Sequence, residues 1–146
     1  MDPSEGARAF DFWVGEWDVF APDGRRLGEN SIRIAHAGRV LIEHWRGAGG
    51  VTGSSLSSHQ PGAAQPWTQY WADSTGGELL MKGTLVHGSM VLEERRTDAG
   101  GRTLVQRTSW TPNADGTVRQ HWQSSDDAGE TWRTTFDGVY RRKENP

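Results

Sequence analysis

Apolar and polar residues alternate along most of this chain in short runs, and each run ends in a cluster of Gly, Asp, Asn or Pro. That alternation has the period of a half-buried β-strand. No window keeps an apolar set at helical spacing, so helix is confined to one short turn over residues 10–14, where Asp11 and the aromatics around it could plug one end of a sheet structure. Ten strands are predicted, over 17–21, 27–36, 39–47, 51–59, 67–73, 78–86, 90–97, 102–111, 117–124 and 131–142. Residues 1–9 and 143–146 read as a flexible leader and tail around a single domain over 10–142.

The connections are too short to hold crossover helices, so the sheet is antiparallel and consecutive strands pair. Ten such strands in an open sheet would leave two long edges, and closure into a meander barrel removes them. A sandwich is the alternative architecture. The chain is organised around residues 10–20, Phe-Asp-Phe-Trp-Val-Gly-Glu-Trp-Asp-Val-Phe, with Gly15-x-Trp17 opening the first strand.

Composition narrows the function. The 146 residues make one domain, long enough to bury about 70% of the unfolded surface. Net charge is -3, and the basic residues are scattered, so no nucleic-acid footprint is present. There is no Cys, which excludes disulfides and thiolate chemistry. The first residues lack an apolar signal core and no run is long enough for a spanning helix, so a cytoplasmic protein without membrane association is expected. Apolar content is only 34%, yet Trp occurs 8 times. A polar chain rich in Trp can fold around an interior that is itself partly polar.

Two motifs carry resemblances. Ser125-Asp126-Asp127-Ala128-Gly129-Glu130-Thr131-Trp132 resembles the Asp-box, a hairpin-turn device of sialidases and other β-rich proteins, and is read here as structural. Gly15-x-Trp17, with Arg141 or Arg142 on the last strand, resembles the calycin signature, in which an Arg lies across the indole and ties the termini together. The chain over 10–142 is also similar to a bacterial family of lipocalin-like barrels of unassigned activity. The residues that carry this are Phe10 to Trp17, Glu43-x-Trp45-x-Gly47, Gln69-x-Trp71-x-Asp73, Arg107-x-x-Trp110-x-Pro112, Gln120-x-Trp122 and Phe136-Asp137-Gly138-x-Tyr140. The resemblance implies a calycin-type barrel with an internal cavity. Ten strands also resemble fatty-acid-binding proteins and the haem-binding nitrobindins, but no His is placed like the haem ligand, and no cofactor is expected.

The candidate chemistry follows from strand alternation. Glu43-x-Trp45, Gln69-x-Trp71 and Gln120-x-Trp122 each put a polar group and an indole on one face. Trp110 shares a face with Thr108, and Trp132 with Thr134. Turned inward, these residues make an aromatic box with a few orienting polar groups, the usual design of a small-molecule site. Glu43, if buried beside Trp45, has a raised pKa and can act as general acid or base; otherwise it pairs with Arg33, Arg39 or Arg107. Asp73, on the face of Gln69 and Trp71, is a second carboxyl near the mouth. His44 and His121 alternate with those pairs and face outward, and the five His show no metal spacing. No nucleophile elbow or phosphate loop is present. The expected function is therefore binding of an apolar or aromatic small molecule by a monomer or homodimer. The alternatives are a cyclase, isomerase or hydrolase working through Glu43 or Asp73, and a filled barrel with a partner-binding outer face.

Overall fold

The computed structural model describes residues 6–144. Ten antiparallel strands follow one another around a closed barrel, and the last pairs with the first. They are β1 (Gly15–Phe20), β2 (Arg26–Ala35), β3 (Val40–Gly47), β4 (Thr52–His59), β5 (Trp67–Asp73), β6 (Glu78–Val86), β7 (Ser89–Thr97), β8 (Thr103–Pro112), β9 (Val118–Ser125) and β10 (Arg133–Arg142). A short 3-10 helix, Asp11–Trp13, precedes β1. Among the described residues, no helix is long and apolar enough to cross a membrane.

Local sequence explains the turns. The β6–β7 loop has two residues, His87 and Gly88, both at positive φ (49° and 85°). That is the type I′ geometry whose twist matches the flanking strands, and Gly at the second position adopts it without steric cost. The longer β9–β10 turn is held by the Asp-box residues. The Asp127 carboxylate accepts from Ser125 Oγ at 2.7 Å and from the Thr131 backbone N–H at 2.8 Å, and the Thr131 hydroxyl also donates to it. The Trp132 indole N–H donates to the Gly129 carbonyl at 3.0 Å.

These donors, Thr131 Oγ1 first, hold the Asp127 pKa down at about 2. A carboxylate with a depressed folded-state pKa contributes stability above its unfolded value, and this is lost as pH falls through the folded one. Asp127→Asn is therefore expected to lower stability at neutral pH and to remove part of the acid limb between about pH 4 and about pH 2. Urea midpoints measured across that range check this; superimposable curves would refute it.

The first and last strands close at Trp17. Its cross-strand partner is Arg142, whose guanidinium lies 4.2 Å from the centroid of the indole and donates to the Val14 carbonyl at 3.1 Å. The Trp17 N–H donates to the Trp13 carbonyl at 2.8 Å, which pins the 3-10 helix across the barrel end. Of the two arginines in the calycin-like signature, Arg142 is thus the clamp, and Arg141 faces Phe20 on the outside.

Residues flanking the barrel are tied to it. Ala9 packs on the core, Arg8 donates to the Gly38 carbonyl, and Lys143 bridges Asp18 and Glu29 at 3.2 and 2.6 Å. Residues 1–5, 145 and 146 lie outside the described residues.

Candidate functional site

Strand alternation and the meander together sort the interior into layers. The turns after β1, β3, β5, β7 and β9 lie at one end of the barrel, and the other turns lie at the end covered by the 3-10 helix. The covered end is solid. Phe10 stacks on Trp13 at 4.8 Å, and Trp67 and Trp110 meet the Phe10 ring at 5.6 and 5.0 Å. Trp110 is 1% exposed and belongs to this plug. It lies on the inward face, as alternation requires, but below the cavity and not in its wall.

Above the plug is a polar floor. Glu43, on β3, is 5% exposed. Its carboxylate accepts from Ser55 Oγ, directly opposite on β4, at 2.6 Å, and from Asn30 Nδ2 on β2 at 2.7 Å. The same Asn30 amide lies 2.9 Å from the Tyr140 hydroxyl on β10 and donates to it. Tyr140 donates to Gln120 Oε1 at 2.7 Å, and the Gln120 amide donates to Thr108 Oγ1 at 3.3 Å. Six strands thus share one hydrogen-bonded chain from Ser55 to Thr108. Gln69 donates to Ser57 at 3.0 Å and extends the polar floor under β5.

Among the described residues, no arginine pairs with Glu43, whose partners are Ser55 and Asn30. Arg33 and Arg107 point outward by alternation and pair with Glu16 at 3.6 Å and Glu93 at 2.5 Å. Removal from water therefore dominates and raises the Glu43 pKa, against the opposing bonds from Ser55 and Asn30. Burial, and then the nearby Glu43 charge, raise the Tyr140 pKa too, so the phenol stays a neutral donor.

Between this floor and the open end, aromatic side chains form the wall: Trp45, Trp71, Trp122 and Phe136, with Leu79 and Met81 completing it. The cavity they enclose with the floor measures about 170 Å³. Three of the rings lie over strand glycines. A Cβ on Gly28 would stand 2.9 Å from Trp45, one on Gly53 2.2 Å from Trp71, and one on Gly138 2.7 Å from Phe136. The missing side chains make the room these rings occupy. Trp45 and Phe136 meet edge to face at 5.8 Å. The Trp71 N–H is spent on Asp73 at 3.0 Å and the Trp122 N–H on Gln106 at 2.6 Å, so the protein consumes both indole donors.

Asp73 sits at the mouth. Its carboxylate caps the β5–β6 turn, accepting from the Thr75 hydroxyl and backbone N–H at 2.5 and 2.9 Å and from the Gly77 N–H at 3.0 Å. These bonds lower its pKa, Thr75 Oγ1 contributing most. Of the two candidate carboxyls, only Glu43 has the environment of a proton donor; Asp73 is a fixed negative charge.

The structure brings together Glu43, Trp45, Gln69, Trp71, Asp73, Gln120 and Trp122 from the sequence-derived set. Trp110 lies in the plug, and Trp132 lies outside, with the Arg107 guanidinium 4.3 Å from its ring centroid. His44 and His121 are on the outer face, bonded to Ser54 and Thr134. Asn30, Ser55, Phe136 and Tyr140 belong to the floor and wall although the polar–Trp pattern does not reach them. Phe136-x-Gly138-x-Tyr140 has the same i, i+2 pattern as the polar–Trp pairs, and glycines inside strands marked where rings approach the backbone.

No protein-family model matches the chain, and no curated protein matches it.

Proposed function

We propose that this chain is a lipocalin-like barrel of the bacterial type its motifs resemble, and that it binds one small apolar or aromatic molecule in the cavity above Glu43. The observation that carries the reading is an aromatic wall around a cavity of about 170 Å³ with a polar floor whose side chains are hydrogen-bonded to one another. Apolar walls with few orienting polar groups are the general design of such sites. Size limits the ligand: an apolar cavity of about 150 Å³ holds a benzene-sized guest. A single ring or a compact branched group fits, whereas a long fatty acyl chain does not.

Native mass spectrometry of freshly purified protein, beside a denatured sample, tests this directly. A non-covalent mass of ring size that vanishes on denaturation is the expected result. Calorimetric titration with benzyl alcohol should show one saturable site, weakened about tenfold or more in Trp45→Ala. No saturable heat, or an unchanged affinity in that variant, would overturn the reading.

Glu43 favours a second reading, an enzyme. A desolvated carboxyl of raised pKa beside a cavity is placed to hold and return a proton. In that case Glu43→Gln would keep its affinity for a neutral captured ligand while turnover of that ligand is lost.

A further inference from the structure

We infer that the preferred occupant of this cavity is a small organic ammonium ion, held against the faces of Trp45, Trp71 and Trp122 with Glu43 and Asp73 as its counter-charges. The inference rests on the small-molecule reading above and specifies the ligand's chemistry.

The first support is the aromatic wall itself. Both spent indole N–H groups leave Trp71 and Trp122 with little to offer a ligand except their π-faces. Those faces carry negative electrostatic potential and attract cations, most strongly where water is excluded.

Charge is the second support. Among the described residues, the cavity lining contains two carboxyls and no Lys, Arg or His. Near the rim, Arg96 stands beside Trp71 and Trp122 with Glu94 3.7 Å away, and Arg46 stands beside Trp45 with Glu29 2.6 Å away, so each already has a carboxylate partner. An anionic ligand would meet no partner inside, and it would face the fixed charge of Asp73 on entry.

The third support is Glu43. Its two donors, Ser55 and Asn30, are neutral, so a buried carboxylate there carries an unneutralised charge. An ammonium ion in the cavity supplies the missing positive charge. Burial that disfavours ionised Glu43 in the empty barrel is offset when a cation enters. A neutral guest gains nothing from this arrangement.

The test uses three ligands with nearly the same branched head: choline, the neutral 3,3-dimethylbutan-1-ol, and the anion pivalate. Each is titrated calorimetrically into the whole protein at slightly alkaline pH. Choline is expected to bind about tenfold or more tightly than the neutral alcohol, with pivalate undetectable. Glu43→Gln should cut choline affinity by about tenfold while leaving the alcohol unchanged. The thermal midpoint and far-ultraviolet circular dichroism of the variant establish that it folds. Equal or better binding of the alcohol would overturn the ammonium inference and leave the small-molecule reading standing. A choline preference that survives in Glu43→Gln would overturn the role given to Glu43. Failure of all three ligands to bind would overturn both readings together.

Discussion

Trp17→Ala is expected to remove most of the stability of this protein. Trp17 is 0% exposed, and three separate attachments meet on its ring. Its N–H holds the 3-10 helix through the Trp13 carbonyl, Tyr140 packs edge-on at 5.8 Å, and the Arg142 guanidinium covers the other side. Truncating a buried Trp costs about 3–5 kcal/mol through lost transfer energy and the cavity left behind. A domain of this size has about 5–15 kcal/mol in total.

The site of the damage matters as much as its size. β1 and β10 form the seam of the barrel, and sequence-distant pairing across it has to be held against chain entropy. Loss of the clamp frees both the seam and the end plug. Arg142→Ala should cost less, about 0.5–1 kcal/mol, because the guanidinium is exposed on its outer side. Arg141→Ala should be close to neutral, since its contact with Phe20 is distant at 5.6 Å. Urea denaturation of the three variants gives the ranking. Equal losses at 141 and 142 would remove Arg142 from the clamp.

Glu43→Gln is expected to make the protein more stable than wild type at neutral and alkaline pH, with the two converging in acid. The sign follows from the direction of the shift. Glu43 has a pKa raised above its usual 4.5, so the folded state holds the proton more tightly than the unfolded chain does. The stability this contributes is present below the unfolded value and is lost as pH rises through the folded one. Each unit of separation is worth about 1.4 kcal/mol. Glutamine keeps the shape and cannot ionise; its carbonyl can still accept from Asn30 Nδ2, and its amide can donate to the Ser55 hydroxyl, which turns to accept. The difference between variant and wild type should therefore grow as pH rises above the usual value of 4.5 and level off once pH has passed the raised folded-state value. Parallel stability curves over that range would show that Glu43 ionises in the folded protein no less easily than in the unfolded chain.

The two expectations differ in how far the sequence announced them. Gly15-x-Trp17 and the arginine pair at the far end were visible as a motif, and the geometry only had to choose Arg142. Glu43 was visible as a candidate, but the expectation of an arginine partner was open. The structure supplies Ser55 and Asn30 in its place. Asn30 lies 13 residues away in sequence, and Tyr140 lies 110 residues beyond Asn30. No local pattern links them.

Trp110 and Trp132 show two different limits of alternation. Trp110 is on the inner face as its period requires, but inner residues at different heights do different work, and this one lies in the plug. For Trp132 the parity itself changes. Counting back by twos from Phe136 would place Trp132 inside, but the register of β10 against β9 shifts between Thr134 and Phe136. A bulge inserts an extra residue and turns the preceding side chains to the other face. Trp132 therefore lies outside, under Arg107.

By itself the sequence determined ten antiparallel strands pairing in chain order and favoured their closure over a sandwich, and it placed one set of residues on a common face. Both follow from local physics: a period of two along each strand, turn residues between strands, and edges that must not remain unpaired. Only the tertiary structure decided which of those residues surround the cavity and which fill the barrel below it. Height along the barrel depends on how each strand is registered against its neighbour, and the polar floor joins strands that meet only when the sheet closes. A period of two names a face; closure and register name the neighbours.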